Sequence, residues 1–254
     1  MLETFIETQL FAFLLIFTRV GTALMIMPGI GESFTPTNIR LFIALGLSLV
    51  MTPVLSGFLP TIPSTPALMF LLLGAEAITG LFIGTVMRIL MSALDTAGMV
   101  IGLNTGLANA QVFNPTIGGQ GSIIGALLGV LGVTMILVTN MHHLLLLTIF
   151  ESYQMFPADS LLESTGQMAE VVARITNTAF NAGVKMAMPF IIVTLVVYTG
   201  FGLLGRLMPQ IQIFFLALPL QIILAFLTLS LVFSSIMLFW LNTYEQSITR
   251  YLVL

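Results

Sequence analysis

The sequence predicts an all-α integral membrane protein of about six long, kinked apolar helices, arranged as helical hairpins, with one irregular loop among them. Three observations carry this. Of 254 residues, 58% are hydrophobic and only 7% are charged, against about 25% charged in an ordinary soluble domain, and the mean hydropathy is +1.12. The apolar residues fall into segments close to the roughly 20 residues that cross a bilayer core. One stretch, 106–121, interrupts them with polar residues, Asn-Pro and Gly-Gly, which break helices. A net charge of -3 offers no basic patch for nucleic acid, and with no cysteine there is no disulfide or thiol chemistry.

The first apolar segment, about 8–27, holds a single charge, Arg19, and ends at Pro28-Gly29-Ile30-Gly31-Glu32. No Lys or Arg precedes Arg19, a poor start for a cleaved leader, so this segment is read as a retained span. The second, about 39–55, lies between Pro36 and the run Pro60, Pro63 and Pro66, a stiff extended connector. The third, about 67–94, carries Glu76, Gly80, Gly84, Arg88 and Ser92 at every fourth residue, with Asp95 just beyond. That spacing makes one slowly winding stripe; its small residues permit close helix approach and its charges must face protein or water. A weakly apolar, glycine-dotted piece, 97–107, leads into the interruption.

The fourth segment, about 122–150, opens with Gly121, Gly125 and Gly129, then Gly132, again a close-packing face. It closes with Asn140, His142 and His143, before an acidic loop at 151–163. The fifth begins with Glu163, Gln167, Glu170, Arg174, Asn177, Asn181 and Lys185 in steps of three and four. All seven fall within an arc of roughly 80° on a helical wheel, and Glu170 and Arg174 are spaced for an i, i+4 pair. So long a polar stripe does not suit a face against lipid. It is either a wall of a water-lined channel or a face buried against other subunits. The segment continues as apolar helix past Pro189 to about Leu204, and Gly205-Arg206-Leu207-Met208-Pro209 makes a turn. The sixth, about 211–242, carries Gln212, Pro219 and Gln221, and its closing Trp240 and Tyr244 suit a membrane interface. An outside N-terminus places Arg40, Arg88 and Arg206 near inner loops, in agreement with the positive-inside rule.

Irregular backbone at membrane depth cannot face lipid, because its amides and carbonyls would lack partners. The 106–121 loop is therefore buried in protein or lines a water-filled passage. Other candidate chemistry is thin. His142 and His143 point about 100° apart on a helix, and no third histidine exists for a zinc-type site. Gly118-Gly119-Gln120-Gly121 lacks the Lys-Ser/Thr pair of a phosphate loop. No nucleophile, base and acid can be assembled, so neither an enzyme nor a cofactor is expected. Glu76 with Arg88 and Asp95 reads either as a proton or ion relay or as a structural pair. The relay reading would make the chain a self-contained secondary transporter or ion channel. Such proteins usually show paired interrupted helices in two related halves, and only one clear interruption is present.

Ala97-Gly98, Ile101-Gly102-Leu103, Gly106-Leu107 and Val112-Phe113-Asn114-Pro115 resemble the central motif of the FliR family of type III secretion export proteins. Gly205-Arg206-Leu207-Met208-Pro209-Gln210-Ile211-Gln212-Ile213-Phe214, followed by Pro219, resembles that family's second signature, and Met27-Pro28, Glu32, Pro36 and Arg40 fit its first loop. The likeness covers essentially the whole chain. Two departures stand out: Asn114 where many members carry Asp, and Gln212 where many carry Asn. The first removes a charge from the loop, so no role that needs ionisation is open to position 114.

The resemblance implies a subunit of a type III export gate in the bacterial inner membrane, in the flagellar basal body or its injectisome counterpart. The implied partners are FliP-like and FliQ-like membrane subunits with an FlhB-like subunit, membrane lipid, and unfolded protein substrates moved outward. It implies a FliP-like part over 1–157 and a FliQ-like helical hairpin over 158–254. Family members also stand partly out of the bilayer plane. The loop becomes a plug of the central pore: Gly106, Leu107, Asn109, Gln111, Val112, Phe113, Asn114, Pro115, Gly118 and Gly119. Val112 and Phe113 would block ions, and the glycines would supply freedom to move aside. Glu76, Arg88, Asp95, Glu170, Arg174, Asn177, Asn181, Lys185, Arg206, Pro209 and Gln210 become the polar positions of assembly.

Overall fold

The computed structural model of the chain describes residues 2–107, 122–208 and 213–252. Among them the order is α1 (Leu2–Ile26), α2 (Thr37–Leu55), α3 (Pro66–Asn104), α4 (Ile123–Val138), α5 (Met141–Met155), α6 (Leu161–Leu207) and α7 (Ile213–Leu252), with short 3-10 turns at Ser56–Phe58 and Ala158–Ser160. Five helices are long and apolar enough to cross a membrane, and α4 with α5 makes a sixth if the bent pair is one span. The chain is an all-α integral membrane protein. At 1.5 Å per residue, α3, α6 and α7, of 39, 47 and 40 residues, extend for roughly 60–70 Å. That is about twice a hydrocarbon core of roughly 30 Å, so they are much longer than simple upright spans.

The helices divide into two compact units, each discontinuous in sequence. The first holds Met1–Leu90, Ile136–Thr176 and Glu245–Leu254. Within it α1 packs along α2. The sequence turns between them because Gly29 takes φ 90°, and because a side chain on Gly31 would strike the carbonyl oxygens of Met25 and Met27. The glycines of α3 do what their spacing suggested. A Cβ on Gly80 would lie 2.3 Å from the Arg19 carbonyl oxygen, and one on Gly84 would lie 2.8 Å from that of Ala23. Phe11, Leu15, Leu72 and Ala158 form a buried cluster, and Phe82 meets Phe156 edge to face.

The second unit holds Met91–Met135 and Asn177–Tyr244. Here α3 and α4 touch backbone to backbone. A Cβ on Gly98 would sit 2.2 Å from Gly125 Cα. This contact explains why 97–104 continues α3 despite two glycines: tertiary packing outweighs the helix cost of Gly, about 1 kcal/mol each. Gly183 packs closely on Thr96, whose Cβ would lie 2.7 Å from an added side-chain carbon.

The fourth segment is not one straight helix but bends by 78° at Asn140, a non-glycine residue with φ 60°, a left-handed conformation that Asn tolerates better than most. Trp240 and Tyr244 do not lie at an interface with lipid. They are 1% and 0% exposed, and the missing side chain at Gly132 leaves the space that the indole enters. Met27, Met87, Met91 and Met186 are buried as core filler, whereas Met25 and Met188 are exposed.

Candidate functional site

The first unit is built around a buried cation. Arg19, fully enclosed, donates through Nε to Glu76 Oε2, through Nη1 to Ser152 Oγ at 3.2 Å and through Nη2 to the Phe156 carbonyl at 2.8 Å. Its guanidinium also lies 4.0 Å from the centre of the Tyr153 ring, a cation–π contact. One side chain thus joins α1 to α3 and caps the end of α5, where the last carbonyls lack helical donors. Glu76 Oε1 and the Tyr153 hydroxyl have no hydrogen-bond partner among the described residues.

This corrects the grouping of Glu76 with Arg88 and Asp95. Glu76 answers Arg19, while Arg88 pairs with Glu32 of the α1–α2 loop. Arg40 braces the same loop through the carbonyls of Glu32 and of Thr35, at 2.8 Å. Asp95 lies where the α3 backbone passes Gly125 of α4. The Arg19–Glu76 pair was missed at the sequence level, although a signal existed. Arg19 is the lone charge of the first apolar segment and Glu76 the first charge of the third, and opposite charges at membrane depth need each other.

The polar positions of α6 form the second feature. Gln167, Glu170, Arg174, Asn177, Asn181 and Lys185 are all exposed, while Met168, Ile175, Ala179, Ala182 and Met186 on the other side are buried. The stripe bonds mainly to itself. Arg174 donates to Glu170 at 2.9 and 2.6 Å, with Tyr251 of α7 beside it. Asn181 Nδ2 donates to the Asn177 carbonyl and Oδ1, both at 2.8 Å. Arg206 is exposed in the last turn of α6; Pro209 and Gln210 lie outside the described residues.

Of the proposed loop, Gly106 and Leu107 are described, both half-buried. Asn109, Gln111, Val112, Phe113, Asn114, Pro115, Gly118 and Gly119 lie outside the described residues. The two stems are well held. Gly106 takes φ 75°, which ends α3. Ser122 Oγ, just before α4, donates to the Gly98 carbonyl at 2.7 Å. Thr194 Oγ1 of α6 donates to the Asn104 carbonyl at 3.0 Å. The two histidine rings lie tilted at 37° with centres 4.1 Å apart, and no group of three potential metal ligands occurs among the described residues.

Comparison with known proteins agrees with this architecture of long apolar helices. Residues 10–247 match the family described as bacterial export proteins, family 1. The flagellar biosynthetic protein FliR of Caulobacter vibrioides is 37% identical over 238 residues, covering 94% of each chain. That of Bacillus subtilis is 28% identical, covering 93% of this chain and 92% of its own. The Yop proteins translocation protein T of Yersinia pestis is 27% identical, covering 90% and 88%. A family match over nearly the whole length, joined to a relative this similar end to end, places the chain in family 1 of the bacterial export proteins, the FliR family.

Proposed function

We propose that the chain is one subunit of a flagellar type III export gate, and that it helps form and plug the channel through which unfolded protein substrates cross the bacterial inner membrane. Family membership supports an export role. The observation that carries the reading is the exposed stripe of α6. Charged and amide side chains spread over several turns stand uncovered on a helix apolar enough to cross a membrane. Left against lipid they would be costly; in this reading the polar surfaces of other subunits cover them. FliP-like and FliQ-like membrane subunits, with an FlhB-like neighbour, are the proposed covers.

In this reading Glu170, Arg174, Asn177, Asn181 and Lys185 make contacts between subunits, and Arg206, Pro209 and Gln210 shape the turn between α6 and α7. Residues 1–157 act as the FliP-like part and 158–254 as the FliQ-like hairpin. The 106–121 loop acts as the plug, and the subunit has no catalytic task. The site of action is the flagellar basal body, supported by the higher identity to a flagellar relative than to the Yop translocation protein. A self-contained transporter using Glu76 and Arg88 has less support, because the two take separate partners.

Native mass spectrometry of the chain in mild detergent, with and without co-expressed neighbouring membrane subunits, tests the proposal. A chain held in a larger assembly of small hydrophobic subunits is expected. A stable monomer or homodimer that ignores those subunits would overturn it.

A further inference from the structure

The second unit contains a small, mostly apolar cavity with a few polar groups in its wall. Thr105, Thr194, Gln221 and Thr228 line it, with Phe190 and Ala225. Gln221 is 6% exposed, yet its Nε2 has no hydrogen-bond partner among the described residues. The cavity leaves about 10 Å³ for the centre of a water-sized molecule, close to the least space that holds one water.

Two of the three hydroxyls at this space have already given their protons to backbone carbonyls. Thr105 Oγ1 donates its proton to the Ile101 carbonyl at 2.8 Å, and Thr194 Oγ1 donates its own to the Asn104 carbonyl at 3.0 Å. Both hydroxyls therefore have only lone pairs left to offer. Gln221 Nε2 has only protons to offer. A water molecule satisfies all three: its oxygen accepts from Gln221, and its two protons go to the threonine oxygens.

We infer that Gln221 of α7 holds a single bound water in this cavity, and that this water ties α7 and α6 to the last turn of α3. Gln221 is then a positioning residue. It fixes Thr105 and, next to it, Gly106, whose φ of 75° ends α3 and starts the loop. The consequence for the channel rests on reading 106–121 as a plug: the same water steadies the stem from which the plug leaves.

The experiment uses the complete chain assembled with its neighbouring membrane subunits. A density map at water-resolving resolution is expected to show a peak within hydrogen-bond reach of Gln221 Nε2; a dry cavity overturns the inference. Hydrogen–deuterium exchange of a peptide covering 103–107 then reads the tie. Gln221→Met, which removes the donor to the water, is expected to speed exchange there about tenfold, with exchange over 11–24 of α1 unchanged. Thr194→Ser, which keeps the hydroxyl, is expected to behave as wild type. Unchanged exchange at 103–107 in Gln221→Met also overturns it. Ion leak from vesicles holding the complex with 108–119 deleted reports on the plug itself. An absent leak there counts against the plug and leaves the exchange result to decide the water.

Discussion

The Arg19 centre and the α6 stripe are both polar insertions in apolar helix, and they are completed in opposite ways. Arg19 of α1 and Glu76 are fully enclosed, and groups from α3, from α5 and from Phe156 just beyond it surround the guanidinium. The α6 stripe is exposed along its length and bonds mostly within its own helix. The first is closed by the chain itself, so its chemistry belongs to folding. The second is left open, so its chemistry waits for another molecule. A buried charge that the fold pairs and an exposed one that it leaves uncovered are thus different signals, although both look like misplaced charge in a hydropathy plot.

Substitutions can break this contrast, beginning with the largest effect. Arg19→Leu leaves Glu76 buried without a counter-charge, and is expected to destabilise the chain by about 3–5 kcal/mol, read as loss of folded protein in detergent thermal melts. Adding Glu76→Leu should recover much of that loss, because replacing both partners removes the uncompensated charge. A double variant as unstable as the single one would mean that the pair is not the source of the cost.

Gly80→Ala places a methyl against Thr22 Oγ1 and the Arg19 carbonyl and is expected to cost about 1–3 kcal/mol, measured in the same melts. Tyr153→Phe removes only an unpartnered buried hydroxyl and keeps the ring beneath Arg19, so it is expected to be neutral or to stabilise the chain by about 1 kcal/mol. At the other pole, Asn181→Leu is expected to leave the melting of the isolated chain unchanged. It should instead lower the yield of complex co-purified with neighbouring subunits. If it destabilises the isolated chain as Gly80→Ala does, the stripe belongs to the fold and the contrast fails.

Much of the fold could be read from local composition, and the rest could not for identifiable reasons. Apolar length located each long helix, and the three- and four-residue steps of α6 placed its stripe on one side. The spacing of Gly80 and Gly84 announced the close approach of α3 to α1. What escaped depends on partners distant in sequence. Arg19 and Glu76 are 57 residues apart, and no local rule pairs them. The bend at Asn140 has no Pro or Gly to mark it. Gly98 reads as a weak point in a helix until Gly125 lies against it. Trp240 reads as an interface anchor until Gly132 makes room for it. Of the candidate site, the stripe and the ends of the loop were legible. The water-sized cavity at Gln221 was not, because three separate helices build it.

The most direct test of the account is photo-crosslinking in native membranes from two positions of α6. A crosslinker at Asn181 looks out along the stripe, and one at Ile175, 0% exposed, looks into the chain's own core. The account predicts adducts from 181 with other small hydrophobic membrane subunits and none from 175. Adducts with lipid alone from 181 would contradict it, because the stripe would then need no partner.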